Sequence, residues 1–165
     1  MFAAVPIYAA SSQAPVQVVP SVDLARYAGK WYEIARLPNR FQRDCASDTT
    51  ASYMLRPDGK ITVVNECRKP DGRLKSARGT ARLASGKEPS TKLKVTFFWP
   101  FYGNYWIIDL DLEYRWAVVG EPDRKYLWIL SREPRLDAAL YDQILDRAKN
   151  QGYDVGPLLK TKHTP

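Results

Sequence analysis

Five turn signals punctuate the middle of this chain at short intervals: Pro57-Asp58-Gly59, Pro70-Asp71-Gly72, Gly86-Lys87-Glu88-Pro89, Asp111-Leu112-Glu113 and Glu121-Pro122-Asp123. Pro presets φ, Gly supplies positive φ and Asp bonds its own backbone, so each signal marks a reversal. The stretches between them are rich in β-branched and aromatic residues. Eight such runs can be counted, 31–37, 49–56, 60–68, 73–84, 91–99, 104–110, 115–119 and 126–132, here lettered A to H. Short strands joined by tight turns describe an antiparallel up-and-down meander. Eight of them close into a β-barrel wide enough to hold one small ligand.

Side-chain alternation says which face points inward. In strand E, Leu93, Val95 and Phe97 share one face while Lys92, Lys94 and Thr96 share the other. The same parity turns Ala51, Tyr53 and Leu55 inward on strand B, Ile61, Val63 and Asn65 on C, and Ala77, Gly79 and Ala81 on D. The small residues of D leave volume inside. Strand H is apolar on both faces, Tyr126, Trp128 and Leu130 against Leu127 and Ile129, so something must cover its outside. The next segment can do so. Leu136, Leu140, Ile144 and Ala148 recur every four residues between a capping Asp137 and a terminating Gly152, which predicts one amphipathic helix along the wall.

The barrel also has to close. Ahead of strand A, residues 22–28 form one helical turn that delivers the chain to Gly29, a flexible residue that places Trp31 at the start of the strand. A hundred residues on, Arg132 ends strand H and can lay its guanidinium on that indole. Two residues after Trp31, Glu33 points inward by parity. There it pairs with an internal Arg or Tyr, or meets the polar group of a ligand. Asn39 to Asp48 is a long polar loop carrying Phe41, placed where such loops control access to a barrel mouth.

At 165 residues the chain suits a single domain, read as 20–160, preceded by a disordered linker or signal-peptide remnant (1–19) and followed by a tail (161–165). The net charge of +7 is scattered over strands and turns, with no basic stripe. It reads as a solvated cationic surface with at most weak attraction to anionic lipid. Nucleic-acid binding is set aside because the alternation turns the aromatics inward. Cys45 and Cys67 permit one disulfide or two free thiols. With one His, His163, and no paired ligand spacing, no metal site is expected. Phe98, Trp99, Phe101 and Tyr102 crowd the turn between E and F, either as a membrane-contact patch or as packing over the entrance.

The pattern resembles the lipocalins, specifically the bacterial outer-membrane type and its relative apolipoprotein D. The resemblance is carried by Gly29-Lys30-Trp31-Tyr32-Glu33-Ile34-Ala35-Arg36, Tyr53 with Arg56-Pro57-Asp58-Gly59, Val63-Val64-Asn65, Leu93 to Phe98, Pro100-Phe101-Tyr102-Gly103, Asp111 with Glu113-Tyr114-Arg115, and Tyr126 to Arg132. The order and spacing of these stretches make the likeness specific. The family's signature regions fall on Gly29 and Trp31, on Asp111 and Tyr114, and on Arg132, as structural residues of the closed end. The Cys45 and Cys67 pair resembles one that ties the A–B loop to strand C in some bacterial members.

The resemblance implies carriage or storage of a small hydrophobic ligand, such as a fatty acid or lysophospholipid, without enzymatic activity or a cofactor. Tyr53, Asn65, Phe97, Tyr105, Trp106 and Trp128 fall at pocket-lining positions. Tyr105 is preferred to its neighbour Trp106, because adjacent strand residues face opposite sides. The expected setting is the periplasm or outer-membrane periphery, as a monomer or weak dimer. Lipid anchoring is doubtful because no Cys follows the N-terminal segment. Two rival functions are an isomerase using Cys67 as nucleophile and a carrier of haem or another pigment, both disfavoured by the scarcity of His.

Overall fold

Eight antiparallel strands run β1 (Gly29–Arg36), β2 (Ser47–Leu55), β3 (Ile61–Arg68), β4 (Leu74–Leu83), β5 (Lys92–Phe98), β6 (Phe101–Leu110), β7 (Trp116–Gly120) and β8 (Leu127–Ser131). Each pairs with its sequence neighbour, and β1 pairs with both β2 and β8, so the sheet closes on itself. The computed structural model describes residues 13–85, 90–98 and 101–165, with the side chains of Phe98 and Phe101 excepted. The aromatic crowd expected between strands E and F therefore lies outside the described residues, apart from Tyr102, which is exposed.

The alternation read from sequence divides the apolar residues into two cores. Inside the barrel, Trp31, Tyr53, Ile61, Val63, Ala81 and Leu93 pack with Ala117, Val119 and Leu130. On the outside, Val118, Leu127 and Ile129 pack beneath helix α2 (Ala138–Asn150), which contributes Tyr141, Ile144 and Ala148. The helix begins where Asp137 accepts a hydrogen bond from the Leu140 amide and ends before Gly152, whose φ of +87° suits a residue without Cβ. Leu127 and Ile129 belong to the outer core and Leu130 to the inner one, so β8 is apolar on both sides because both sides are covered.

Two ends of the chain depart from expectation. Residues 13–19, read as a disordered linker, instead lie against the barrel. Val16 is buried in the helix-side core and the Val19 amide donates to the Ile107 carbonyl at 3.0 Å. The physical reason is that this stretch carries the apolar residues that complete the outer core. Residues 161–164, read as a tail, are bonded to the barrel as well. A ninth strand, β9 (Leu159–Lys160), pairs with Ala35 and Arg36 where β1 has parted from β2. Beyond it, the Lys162 carbonyl accepts from the Asp48 amide at 2.8 Å and His163 Nε2 meets the Glu33 carbonyl oxygen at 2.7 Å. A two-residue strand has no periodicity to read, so this element is invisible in the sequence.

Candidate functional site

The lower end of the barrel is stoppered by Trp31. Gly29 adopts a φ of +97°, and its lack of a Cβ lets Arg132 Nη1 approach to 3.3 Å of where one would stand. The Arg132 guanidinium lies 3.8 Å from the Trp31 ring centroid and donates to the carbonyls of Arg26, Tyr27, Lys30 and Tyr114. One cation thus ties the strand entry, the helical turn α1 (Leu24–Tyr27) and the turn before β7 around a fully buried indole. Asp111 holds that turn from the other side, accepting from Arg115 Nε at 2.6 Å, and the Tyr114 hydroxyl accepts from the Asp23 amide.

Three tyrosines form the floor above this stopper. Tyr27 packs on Trp31 with ring centroids 5.0 Å apart, and its hydroxyl lies 2.7 Å from that of Tyr105, which donates to Tyr53 at 2.9 Å. With Tyr105 donating to Tyr53, Tyr27 must donate to Tyr105. Two bonds use two phenol protons of three, and the third, on Tyr53, is not used within the trio. Burial pushes all three phenols up: Tyr27 and Tyr105 well above their ordinary value, Tyr53 to about 12. Below pH about 10 the phenols are protonated whether the chain is folded or not. Above it the unfolded chain sheds protons that the folded barrel retains. Stability should therefore fall from pH about 10 up to the folded value of Tyr53, about 12. Urea unfolding at stepped alkaline pH reads this, and a midpoint constant across that window would refute it.

Above the floor the inward face is lined by a band of small side chains, Ala51, Asn65 and Ala77, which are consecutive cross-strand partners. Asn65, Ala77, Val95 and Trp128 remain partly solvent-accessible although they face inward.

At the mouth the structure reveals a polar network that the sequence reading caught only in part. Glu33 is buried, and its carboxylate accepts from Arg36 Nη1 at 2.8 Å, Gln42 Nε2 at 2.6 Å and Thr161 Oγ1 at 2.5 Å. Gln42 Oε1 in turn accepts from Trp128 Nε1 at 2.9 Å and from Asn39 Nδ2 at 2.8 Å. A bulge between Glu33 and Ala35 brings Arg36 to the inward side, opposite Trp128. Regular parity does not foresee it. The access loop expected over 39–48 is thus pinned by Gln42 to the barrel wall, with Phe41 packed at a tilt against Tyr126 and Tyr126 stacked on Trp128. Cys45 is bonded to Cys67, which anchors the same loop to β3. Closing a loop of this length, 22 residues, stabilises a fold by about 3 kcal/mol in the chain-entropy account.

Of the six pocket residues named from sequence, the structure brings Tyr53 and Tyr105 together at the floor and sets Asn65 and Trp128 above them. Two fall elsewhere. Trp106 faces outward, with Lys92 Nζ 4.2 Å from its ring and the helix-side core beside it, because β6 alternates regularly there and Tyr105 takes the inward place. Phe97 is 37 % exposed and lies against Gly79, where an added Cβ would come within 2.8 Å of its ring. The β5–β6 register shifts between Val95 and Phe98, beside Phe97. Phe97 lines a groove of about 620 Å³ with Gly79, Thr62, Thr80, Thr96, Arg56 and Arg78. Tyr27, Arg36 and Gln42 were missed. Tyr27 had a readable signal, its position four residues before Trp31 at the end of a helical turn.

A closed eight-stranded barrel with a stoppered end, an open end and one outer helix defines the lipocalin architecture. The chain belongs to the lipocalin family: residues 22–163 match the lipocalin-like domain. It is 44 % identical over 159 residues to the outer membrane lipoprotein Blc of Citrobacter freundii, covering 94 % of this chain and 89 % of that protein. It is 40 % identical over 153 residues to temperature-induced lipocalin-1 of Arabidopsis thaliana, covering 88 % and 82 %. Among solved structures, insecticyanin of the tobacco hornworm Manduca sexta superposes with a TM-score of 0.74 over 90 % of this chain and 85 % of that one, at 24 % identity, which speaks to the fold alone. The expectation that lipid anchoring is doubtful finds no support in relatives that are themselves named outer membrane lipoproteins.

Proposed function

We propose that this protein binds and carries or stores an elongated hydrophobic ligand, a fatty acid or lysophospholipid, in the barrel lumen, within the bacterial cell envelope. The observation that carries the reading is the lumen itself. Its floor is three linked phenols with one proton to spare, and above them runs the small-residue band Ala51, Asn65 and Ala77. A chain of about fourteen methylenes gains roughly 11 kcal/mol on burial, and ordering and lost translation take back several, which leaves micromolar to nanomolar dissociation constants. The envelope setting is supported by relatives named outer membrane lipoproteins and by the disulfide, which persists in oxidising compartments. The rival isomerase needs a free Cys67 thiolate, and that sulfur is bonded to Cys45.

Native mass spectrometry of the purified protein, with extraction of bound lipid, should find a fatty acid or lysophospholipid at one per chain. A fluorescent fatty acid should be displaced by the same lipids. Tyr53→Phe removes the spare proton and should weaken binding severalfold; it also takes the acceptor from the Tyr105 hydroxyl and should cost about 1–3 kcal/mol of stability, so binding is compared where the variant is folded. A chain that carries no lipid and gives no displacement overturns the proposal.

A further inference from the structure

The outer wall of the barrel is not uniformly charged. The outward rows of β4 and β5 carry four cations, Arg78, Arg82, Lys92 and Lys94, and no carboxylate, while Lys75, on the inward row opposite Cys67, is paired with Asp44 at 2.6 Å. The first carboxylate of β6 is Asp109, near its end. Arg82 and Lys94 are direct cross-strand partners on the outward face, a like-charge juxtaposition that costs stability where nothing neutralises it. Among the described residues, Arg78 and Lys94 have neither an ion pair nor a side-chain hydrogen bond. Two further cations of this wall lie over aromatic rings, Arg82 over Tyr102 at 4.7 Å and Lys92 over Trp106 at 4.2 Å. Beside them, the groove of about 620 Å³ brings Arg78 and the Thr62, Thr80 and Thr96 row together with exposed Phe97.

We propose that this wall, β4 to β6 with the groove it shares with β3, docks the protein on an anionic phospholipid surface. On the outward rows of β4 and β5 the charge is of one sign, where an unspecialised surface mixes both. Cations paired with amphipathic aromatics suit the headgroup layer, where rings sit at the interface and ammonium and guanidinium groups reach phosphates. The groove takes a headgroup phosphate, Arg78 supplying charge, hydroxyls lining the wall and Phe97 meeting the first acyl carbons. Docking here is independent of the lumen, because these residues face away from Tyr53 and Tyr105.

Flotation with phosphatidylglycerol-rich vesicles, and with vesicles of phosphatidylcholine alone, tests the proposal. The wild-type protein should bind the anionic vesicles, more weakly as salt is raised, and not the neutral ones. Arg78→Glu with Lys94→Glu should weaken binding on the order of thirtyfold or more. Arg135→Glu with Lys125→Glu makes the same change in net charge, from +7 to +3 at two units per reversal, away from the wall, and should cost only a few fold. Thermal melts confirm that both variants fold, and fatty-acid displacement unchanged in the wall variant separates docking from the lumen reading. Equal losses in both variants, or equal binding of neutral vesicles, overturns the proposal. So does tighter binding to an RNA homopolymer than to the anionic vesicles.

Discussion

Trp31→Ala should destabilise the protein by about 4 kcal/mol, a fall in melting temperature of roughly 10 °C. The indole is fully buried, its Nε1 donates to the Tyr27 carbonyl at 2.8 Å, and its outer face supports Arg132. Truncation opens a cavity between the tyrosine floor and a guanidinium that then caps nothing. Because Tyr27 packs on Trp31 and bonds Tyr105, ligand affinity should suffer too, through a loosened floor. Denaturant unfolding with and without a bound fatty acid separates the two effects. A variant with near wild-type stability would show that the stopper is not what closes this end.

Glu33→Ala should cost a similar amount, 3–5 kcal/mol on the scale set by breaking buried ion pairs. The carboxylate accepts from three side chains, and without it Arg36 remains as an uncompensated cation whose Nε is already without a partner. Gln42 loses the bond that holds the access loop. Hydrogen exchange should therefore quicken over 39–46 more than in the strands, and fatty-acid association should become faster. Glu33→Gln retains an acceptor for Thr161 and should recover part of the stability. If the loop amides exchange no faster in Glu33→Ala, the network supports the barrel but does not restrain its entrance.

Much of this architecture is legible in the sequence because it rests on local rules. Turn chemistry locates the strand ends, period-two alternation sorts Tyr53 and Val63 from Ser52 and Thr62, and a four-residue apolar repeat finds the helix. The stopper was readable too, since a Gly-Lys-Trp entry and a terminal Arg have few other uses in a closed sheet. What escaped the sequence depends on departures from regularity. One bulge turns Arg36 inward, and a two-residue strand too short for any period brings Thr161 to Glu33. The floor was half visible: parity gives Tyr53, but only the fold shows that Tyr27 reaches Tyr105 from outside the strands.

The ninth strand also bears on how the molecule behaves among its own copies. Where β1 leaves β2, two strand edges present backbone donors and acceptors along one seam of the wall. An edge left bare is a template for another chain. Leu159 and Lys160 pair with one side of that seam, and the residues after them reach across to Asp48 on the other, through the Lys162 carbonyl and the Thr164 amide and hydroxyl. The last residues thus act as a clasp that denies the seam to a neighbouring molecule.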